Sequence, residues 1–329
     1  MFNTKTSCTI IVYHYEAMPF LRACIRKIRE YCHENINQHI IITEQSCEGT
    51  RNQVISEFGT SEDITIVPMK PLWSGYAIDY VMRFCDIKTE FVCGIEPDVF
   101  PIHKNWLYLC IKLIEENNFK FVGALITETN GTEHIYYQNN HFFWISQCLR
   151  VGRTVDYREL ALEGGFTRYH GRTTQFHNKI EMDKPLVWGN DDWDKWAKED
   201  YYNRGSDDAV VAHCWEDNHR EHDKCTFGIT HIMGIPPESG YGRIIDGIVF
   251  HFGFHRTSVG VENAMGKKYC EWKERINNGC DDALIEEMLK DALEHPTGVN
   301  DRRTWDGKLK KGKPPSEALN KRIEELKHE

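Results

Sequence analysis

Residues 91–101 read FVCGIEPDVFP, an apolar run that stops at two carboxylates, Glu96 and Asp98, with Pro97 between them. Such a run, bounded by turn formers, has the pattern of a buried strand. On its N-terminal side the chain alternates strand and helix. CTIIVYHY (8–15) is a β-branched run, and in the PFLRACIRKIREYC that follows, Phe20, Leu21, Cys24, Ile25, Ile28 and Tyr31 recur at helical spacing. HIIIT (39–43), the turn-rich QSCEGT, a short helix RNQVISEF, the strand DITIVP (63–68) and a helix from Gly75 to Phe84 come next. On its C-terminal side lie the helix NWLYLCIKLIEENN and the strand KFVGALIT.

This alternation predicts a mostly parallel α/β sheet, because parallel neighbours need crossovers that a helix usually supplies. Ligands of such sheets lie beyond the carboxyl ends of the strands, where Glu96 and Asp98 fall. Carboxylates are hard oxygen donors suited to Mg2+ or Mn2+, ions often held by one or two protein carboxylates plus substrate phosphates. A metal bridging a diphosphate is the functional expectation; a solvated turn rich in Pro and Asp is the plainer alternative.

Composition sets outer limits. With 329 residues, 40% of them hydrophobic, the chain can bury a large core as one large domain or two intimate ones. Fifty acidic residues against 40 basic ones give a net charge of −10, which leaves no electrostatic footprint for nucleic acid. The longest apolar runs are too short to span a bilayer and MFNTKTSC has no secretory h-region, so a soluble, cytoplasmic protein is expected. The 12 cysteines are scattered without a CxxC pair, and most of them read as reduced core residues. HCWEDNHREHDKC offers His213, Cys214, His219, His222 and Cys225, but their spacing matches no standard zinc module, and a solvated helix end and loop is favoured.

The order of these features resembles the nucleotide-sugar half of GT-A fold glycosyltransferases, especially the family-two type: a strand with Tyr13, a strand leading to Glu44 in TEQSCEGT, WSGYAID, then Glu-Pro-Asp after an apolar strand. The resemblance covers roughly residues 8–126. It implies a GT-A fold, a mostly parallel Rossmann-like sheet flanked by helices. It also implies a nucleoside and phosphate pocket drawing on Tyr13, Glu44 and Gly75, and a D-x-D-like motif carrying Mn2+ or Mg2+. The chain departs from the family pattern in two places. Glu44-Gln45-Ser46-Cys47-Glu48-Gly49-Thr50 replaces an aspartate-rich segment, and Glu96 replaces the first aspartate of the metal motif. Asp98 is therefore the expected metal ligand, and Glu96 a ribose, sugar or water-mediated contact.

The second half supplies further candidates. Asp207 and Asp208 precede the apolar run AVVAHCW, where acidic residues suit a helix N-terminus. By the resemblance, Asp208 is the general base that deprotonates an acceptor hydroxyl in an inverting reaction, with Asp207 next in line. About 150 residues after Asp98, DGIVFHFGFHRTSVG carries His251, which the same resemblance implies completes the metal shell, and Arg256, suited to the leaving diphosphate. The alternation of VFHFGF equally fits a core histidine on a strand. Gly164, Gly165, Phe166 and the aromatics Trp188, Trp193, Trp196, Tyr201 and Tyr202 sit where acceptor choice is expected, as sugar platforms or ordinary core residues.

The organisation expected is a catalytic domain over 1–260, split into a nucleotide-sugar half (8–126) and an acceptor half (127–260), followed by a helical C-terminal extension over 261–329. DDALIEEMLKDALEHP and the end of KLKKGKPPSEALNKRIEELKHE read as helices that pack on the domain, mediate homo-oligomer formation or cover the site. The predicted function is metal-dependent transfer of a sugar from a nucleotide-diphosphate sugar, a UDP-sugar by preference, to a hydroxyl of a glycan, protein, lipid-linked sugar or modified nucleobase. Two alternatives stand beside it: a GT-A-like glycan- or partner-binding module without catalysis, and a nucleotidyltransferase, although TIIVYHYEAMPFL lacks the Gly- and basic-rich loop expected of the latter.

Overall fold

Strand and helix alternate through the first 126 residues: β1 (Thr6–His14), α1 (Met18–Glu30), β2 (Ile36–Glu44), α2 (Glu48–Phe58), β3 (Ile64–Pro68), α3 (Ser74–Phe84), β4 (Phe91–Ile95), β5 (Val99–Pro101), α4 (Trp106–Asn117) and β6 (Phe121–Ile126). Beyond them lie β7 (Trp144–Arg153), α5 (Thr154–Leu162), β8 (Thr226–Ile232), β9 (Arg243–Ile245), β10 (Val249–His251), α6 (Asp282–Glu294) and α7 (Glu317–His328). The computed structural model describes residues 5–16, 18–69, 74–126, 144–162, 226–232, 243–245, 247–251, 275, 279–294 and 317–329.

One seven-stranded sheet has the order β3-β2-β1-β4-β7-β6-β8. β3, β2, β1 and β4 are parallel to their neighbours, as are β6 and β8; β7 alone runs antiparallel, between β4 and β6. The expected mostly parallel sheet flanked by helices is what forms. Because side chains alternate across a strand, β1 sends Cys8, Ile10 and Val12 into one apolar cluster and Ile11 and Tyr13 into another. The first cluster holds the buried faces of α1, α2, α4, α6 and α7, and the second those of α3 and α5. Burial on both faces is why β1 and β4 read as unbroken apolar runs rather than alternating ones.

The C-terminal helices belong to the first cluster. α6 rests on α1 through Ile285, Met288 and Leu289, and α7 rests on α4 through the fully buried Ile323 and Leu326. Each such side chain stabilises by roughly 1.5–3 kcal/mol on burial. The Asn105 amide adds a specific tie, donating to the carbonyls of Leu326 at 2.9 Å and Lys327 at 3.3 Å, the open end of α7. Of the roles expected for the extension, packing on the domain is the one the described helices display.

A second, three-stranded sheet, β5-β10-β9, hangs below the carboxyl end of β4. β10 pairs antiparallel with β5, setting His251 opposite Val99, Phe250 opposite Phe100 and Val249 opposite Pro101. No described helix is long and apolar enough to cross a membrane.

Candidate metal and nucleotide site

β4 ends at Ile95, and the next three residues turn so that Val99 N–H donates to the Glu96 carbonyl at 3.1 Å before β5 starts. The β5–β10 register then carries His251 to Val99, one residue from Asp98. Residues about 150 positions apart are thereby joined by three rungs of a ladder. His251 Nε2 stands 3.5 Å from Glu96 Oε2 and 3.7 Å from Asp98 Oδ2, and one ligand atom from each residue lies within 4.8 Å of the other two. All three side chains are buried, Asp98 completely.

Two carboxylates and one imidazole converging in a buried site are a donor set that a divalent cation fits. An octahedral divalent ion with bonds of about 2.1 Å holds adjacent donors about 3 Å apart, so a small inward movement would complete the geometry. Oxygen donors alone suit Mg2+, and an added imidazole brings the set within reach of Mn2+. Asp98 also acts on the core behind it: burial pushes the Cys24 thiol up, the Asp98 charge adds to this, and the Cys24 sulfur lies 3.9 Å from the Glu96 carbonyl. Cys8, Cys24 and Cys93 are buried and form no disulfide, in keeping with reduced core residues, whereas Cys32 and Cys47 are exposed.

The neighbouring edge of the sheet is differently made. His14 ends β1 and Glu44 ends β2, directly opposite each other in the parallel register. His14 Nδ1 lies 2.5 Å from Glu44 Oε2, and Glu44 Oε1 accepts the Ser46 N–H at 2.6 Å. His14 and Glu44 are both fully buried. Ser46 Oγ approaches the same His14 nitrogen at 3.5 Å, so Ser46, His14 and Glu44 do not form a nucleophilic relay, which needs acid and hydroxyl on opposite ring nitrogens. Ser46 Oγ instead accepts the Glu16 N–H at 2.7 Å.

Glu16 itself takes a left-handed conformation, φ 53°, and its carboxylate accepts the Thr50 hydroxyl at 2.6 Å and the Cys47 N–H. That contact explains why α2 begins at Glu48, three residues before the RNQVISEF segment read as helical. Its N-cap, Cys47, makes no side-chain cap bond, and Glu16 caps the helix from another loop. Burial acts to raise the Glu16 carboxyl, but the Thr50 and Cys47 hydrogen bonds and the nearby His14 hold it below the ordinary carboxylate range.

The expected pocket residues are thus distributed unevenly. Tyr13 points into the α3/α5 cluster, where its hydroxyl lies over Gly94; Glu44 is enclosed; Gly75 is buried in the first turn of α3. The aromatic at this edge with substantial exposure is Tyr15, at 38%, which the sequence reasoning passed over. The signal for it was position: β1 ends at His14, so Tyr15 lies just past the strand whose Tyr13 is buried. Asp207, Asp208, Arg256, the 213–225 His/Cys segment and the Gly- and Trp-rich stretch between 164 and 202 lie outside the described residues.

Among solved structures, the chain is similar to the mannosyltransferase PcManGT from Pyrobaculum calidifontis in complex with GDP-Man and Mn2+, at 19% identity and TM-score 0.37, over 51% of this chain and 49% of that one. It is also similar to the galactosyltransferase LgtC in complex with donor and acceptor sugar analogues, at 10% identity and TM-score 0.39, over 63% of this chain and 70% of that one. The chain spans about half the length of the mannosyltransferase. A scan against protein-family models and a search of curated proteins find no match. Likeness at this level gives no residue of this chain a role. The two solved structures are of glycosyltransferases, the class that the sequence itself resembles.

Proposed function

We propose that the chain is a metal-dependent glycosyltransferase that moves a sugar from a nucleotide-diphosphate sugar, a UDP-sugar by preference, to a hydroxyl acceptor with inversion. The observation that carries this proposal is the convergence of Glu96, Asp98 and His251 at the carboxyl end of a parallel sheet, where ligands of such sheets bind. Asp98 and His251 would hold Mn2+ or Mg2+, with Glu96 turned to the ion, to a water or to the donor sugar. The ion, when bound, supplies Lewis-acid neutralisation of charge on the departing diphosphate.

The remaining steps belong to side chains. Tyr13, Glu44, Gly75 and their neighbours would shape the nucleoside and phosphate pocket, and Arg256 would meet the diphosphate in the forked geometry that guanidinium offers. Asp208, or Asp207 beside it, would take the acceptor proton as the hydroxyl attacks the anomeric carbon from the face opposite the leaving group. Burial of the metal-binding triad strengthens each of these electrostatic contacts.

The test is a thermal-shift and turnover panel of nucleotide sugars with and without Mn2+. A donor at 100 times its Kd should stabilise the protein by about 2.7 kcal/mol. Asp208→Asn should keep that stabilisation and lose turnover. Absence of any nucleotide-dependent shift in the wild type would overturn the proposal in favour of a binding module.

A further inference from the structure

We infer that Glu44 acts on the nucleotide indirectly, as a positioning residue that, through His14 and Ser46, holds the Tyr15–Glu16 segment as a fixed wall of the nucleoside pocket. This rests on the donor reading of the site. Its support is the arrangement of hydrogen bonds around Tyr15, which reaches both of that residue's chain neighbours from one carboxylate.

Glu44 has two oxygens. Oε2 is taken by the His14 ring, so the residue before Tyr15 is tied to β2; Oε1 is taken by the Ser46 N–H, and Ser46 Oγ in turn accepts the N–H of Glu16, the residue after Tyr15. The Gln45 N–H donates to the His14 carbonyl at 3.0 Å, which ties the same two strand ends through the backbone. Glu16 then reaches across to the first turn of α2 through Cys47 and Thr50. His14 and Glu44 are fully buried, whereas Tyr15 between the anchored residues is 38% exposed. An aromatic ring whose chain neighbours are anchored on both sides loses little further freedom when a flat ligand stacks on it, and this preorganisation raises affinity. The chemistry it fits is a nucleobase face, with Glu44 behind the wall and out of contact with the base.

A direct Glu44 contact and an indirect one make different predictions in a Tyr15→Ala background. UDP in the presence of Mn2+ is the probe, measured by calorimetry, with Mn2+ alone as the check that each variant retains a folded metal edge. Glu44→Gln keeps an acceptor for Ser46 but loses one for the His14 N–H, and should weaken UDP about 2- to 10-fold, the range for loss of one supporting hydrogen bond. It should raise the donor KM with kcat little changed. In Tyr15→Ala, which weakens UDP itself, adding Glu44→Gln should change the Kd by less than about twofold, because the wall it holds no longer carries a ring. Ser46→Ala should behave in the same way and serves if Glu44→Gln fails to fold. A full Glu44→Gln penalty persisting in Tyr15→Ala, or no penalty in the wild-type background, overturns the inference while leaving the donor reading standing. A wild type that binds Mn2+ but neither UDP nor GDP overturns both.

Discussion

Two neighbouring places along the carboxyl edge of the parallel strands are built differently around buried acids. At the β4 edge, Glu96, Asp98 and His251 bring two acids and one imidazole together inside a buried site, a donor set that a divalent cation fits. At the β1–β2 edge, Glu44 is equally buried, yet its oxygens are engaged by His14 and Ser46, and the edge is complete as it stands. Burial of a carboxylate therefore does not by itself mark a metal ligand. The difference lies in the company each acid keeps: Glu44 divides its oxygens between an imidazole and a backbone N–H, whereas Glu96 and Asp98 converge on one imidazole.

The sharpest way to break this contrast is an isosteric neutralisation at each edge. Asp98→Asn keeps shape but removes the charge on which the metal edge depends. Mn2+ affinity, followed by calorimetry, should fall by more than the roughly 100-fold that loss of an outer-shell partner costs. Glu44→Gln should leave Mn2+ affinity within about twofold of wild type, the sites being separate hydrogen-bonded units. Equal losses in both variants would mean that the edges form one charge network and that the contrast is false.

How far each edge could be read from the sequence follows from how local its construction is. FVCGIEPDVFP announces a strand ending in carboxylates because strand, turn and acids are contiguous, and the alternation around it gives the parallel half of the sheet. His251 was reachable only as a family expectation. The alternation of VFHFGF marks a strand there, but what joins it to Asp98 is the β5–β10 pairing, a long-range register that no local pattern carries. β7 was invisible for a related reason: an antiparallel strand inserted between β4 and β6 is set by long-range pairing rather than by its own pattern. The Glu16 cap on α2 was hidden because the capping carboxylate comes from another loop and Cys47 gives no local signature. Glu44 was expected at the pocket by type and order, and its enclosure by His14 depends on register, which appears only when β1 and β2 are laid side by side.

The strands that carry the two edges, β1 and β4, are paired neighbours, and loading a tight contact between them should disturb both. A Cβ added to Gly94, on the strand that delivers Glu96, would lie 2.0 Å from the hydroxyl of Tyr13 and 3.1 Å from its ring carbon, on the strand that ends in His14. Gly94→Ala should therefore destabilise by about 1–3 kcal/mol, the usual cost of overpacking, read as a lower urea midpoint at unchanged slope. Tyr13→Phe in the same chain removes the nearest atom but leaves the 3.1 Å approach, so rescue should be partial. A fully additive double variant would show that the two strands tolerate separation and that the edges are structurally independent.

The smallest effect concerns the acid that fastens the nucleoside edge. The Glu16 carboxyl lies below its ordinary value of 4.5 because the hydrogen bonds from Thr50 and Cys47 and the neighbouring His14 outweigh the upward push of partial burial. A carboxyl depressed in the folded state adds stability that is fully present above its unfolded value and is lost as pH falls through its folded value, so the Glu16 tie should hold at neutral pH and open only in acid. Solvent screens this exposed group, so the change should be local and slight. A carbon-13 NMR titration of the Glu16 carboxyl should place its midpoint below 4.5, and Thr50→Val, which removes the hydroxyl contributing the largest downward pull, should move it up. The Asp98 edge should not respond to that variant, because nothing in the Glu16–Thr50 contact reaches β5 or β10. A midpoint unmoved by Thr50→Val would mean that the Thr50 hydroxyl does not hold Glu16 and that the Cys47 N–H alone ties it to α2.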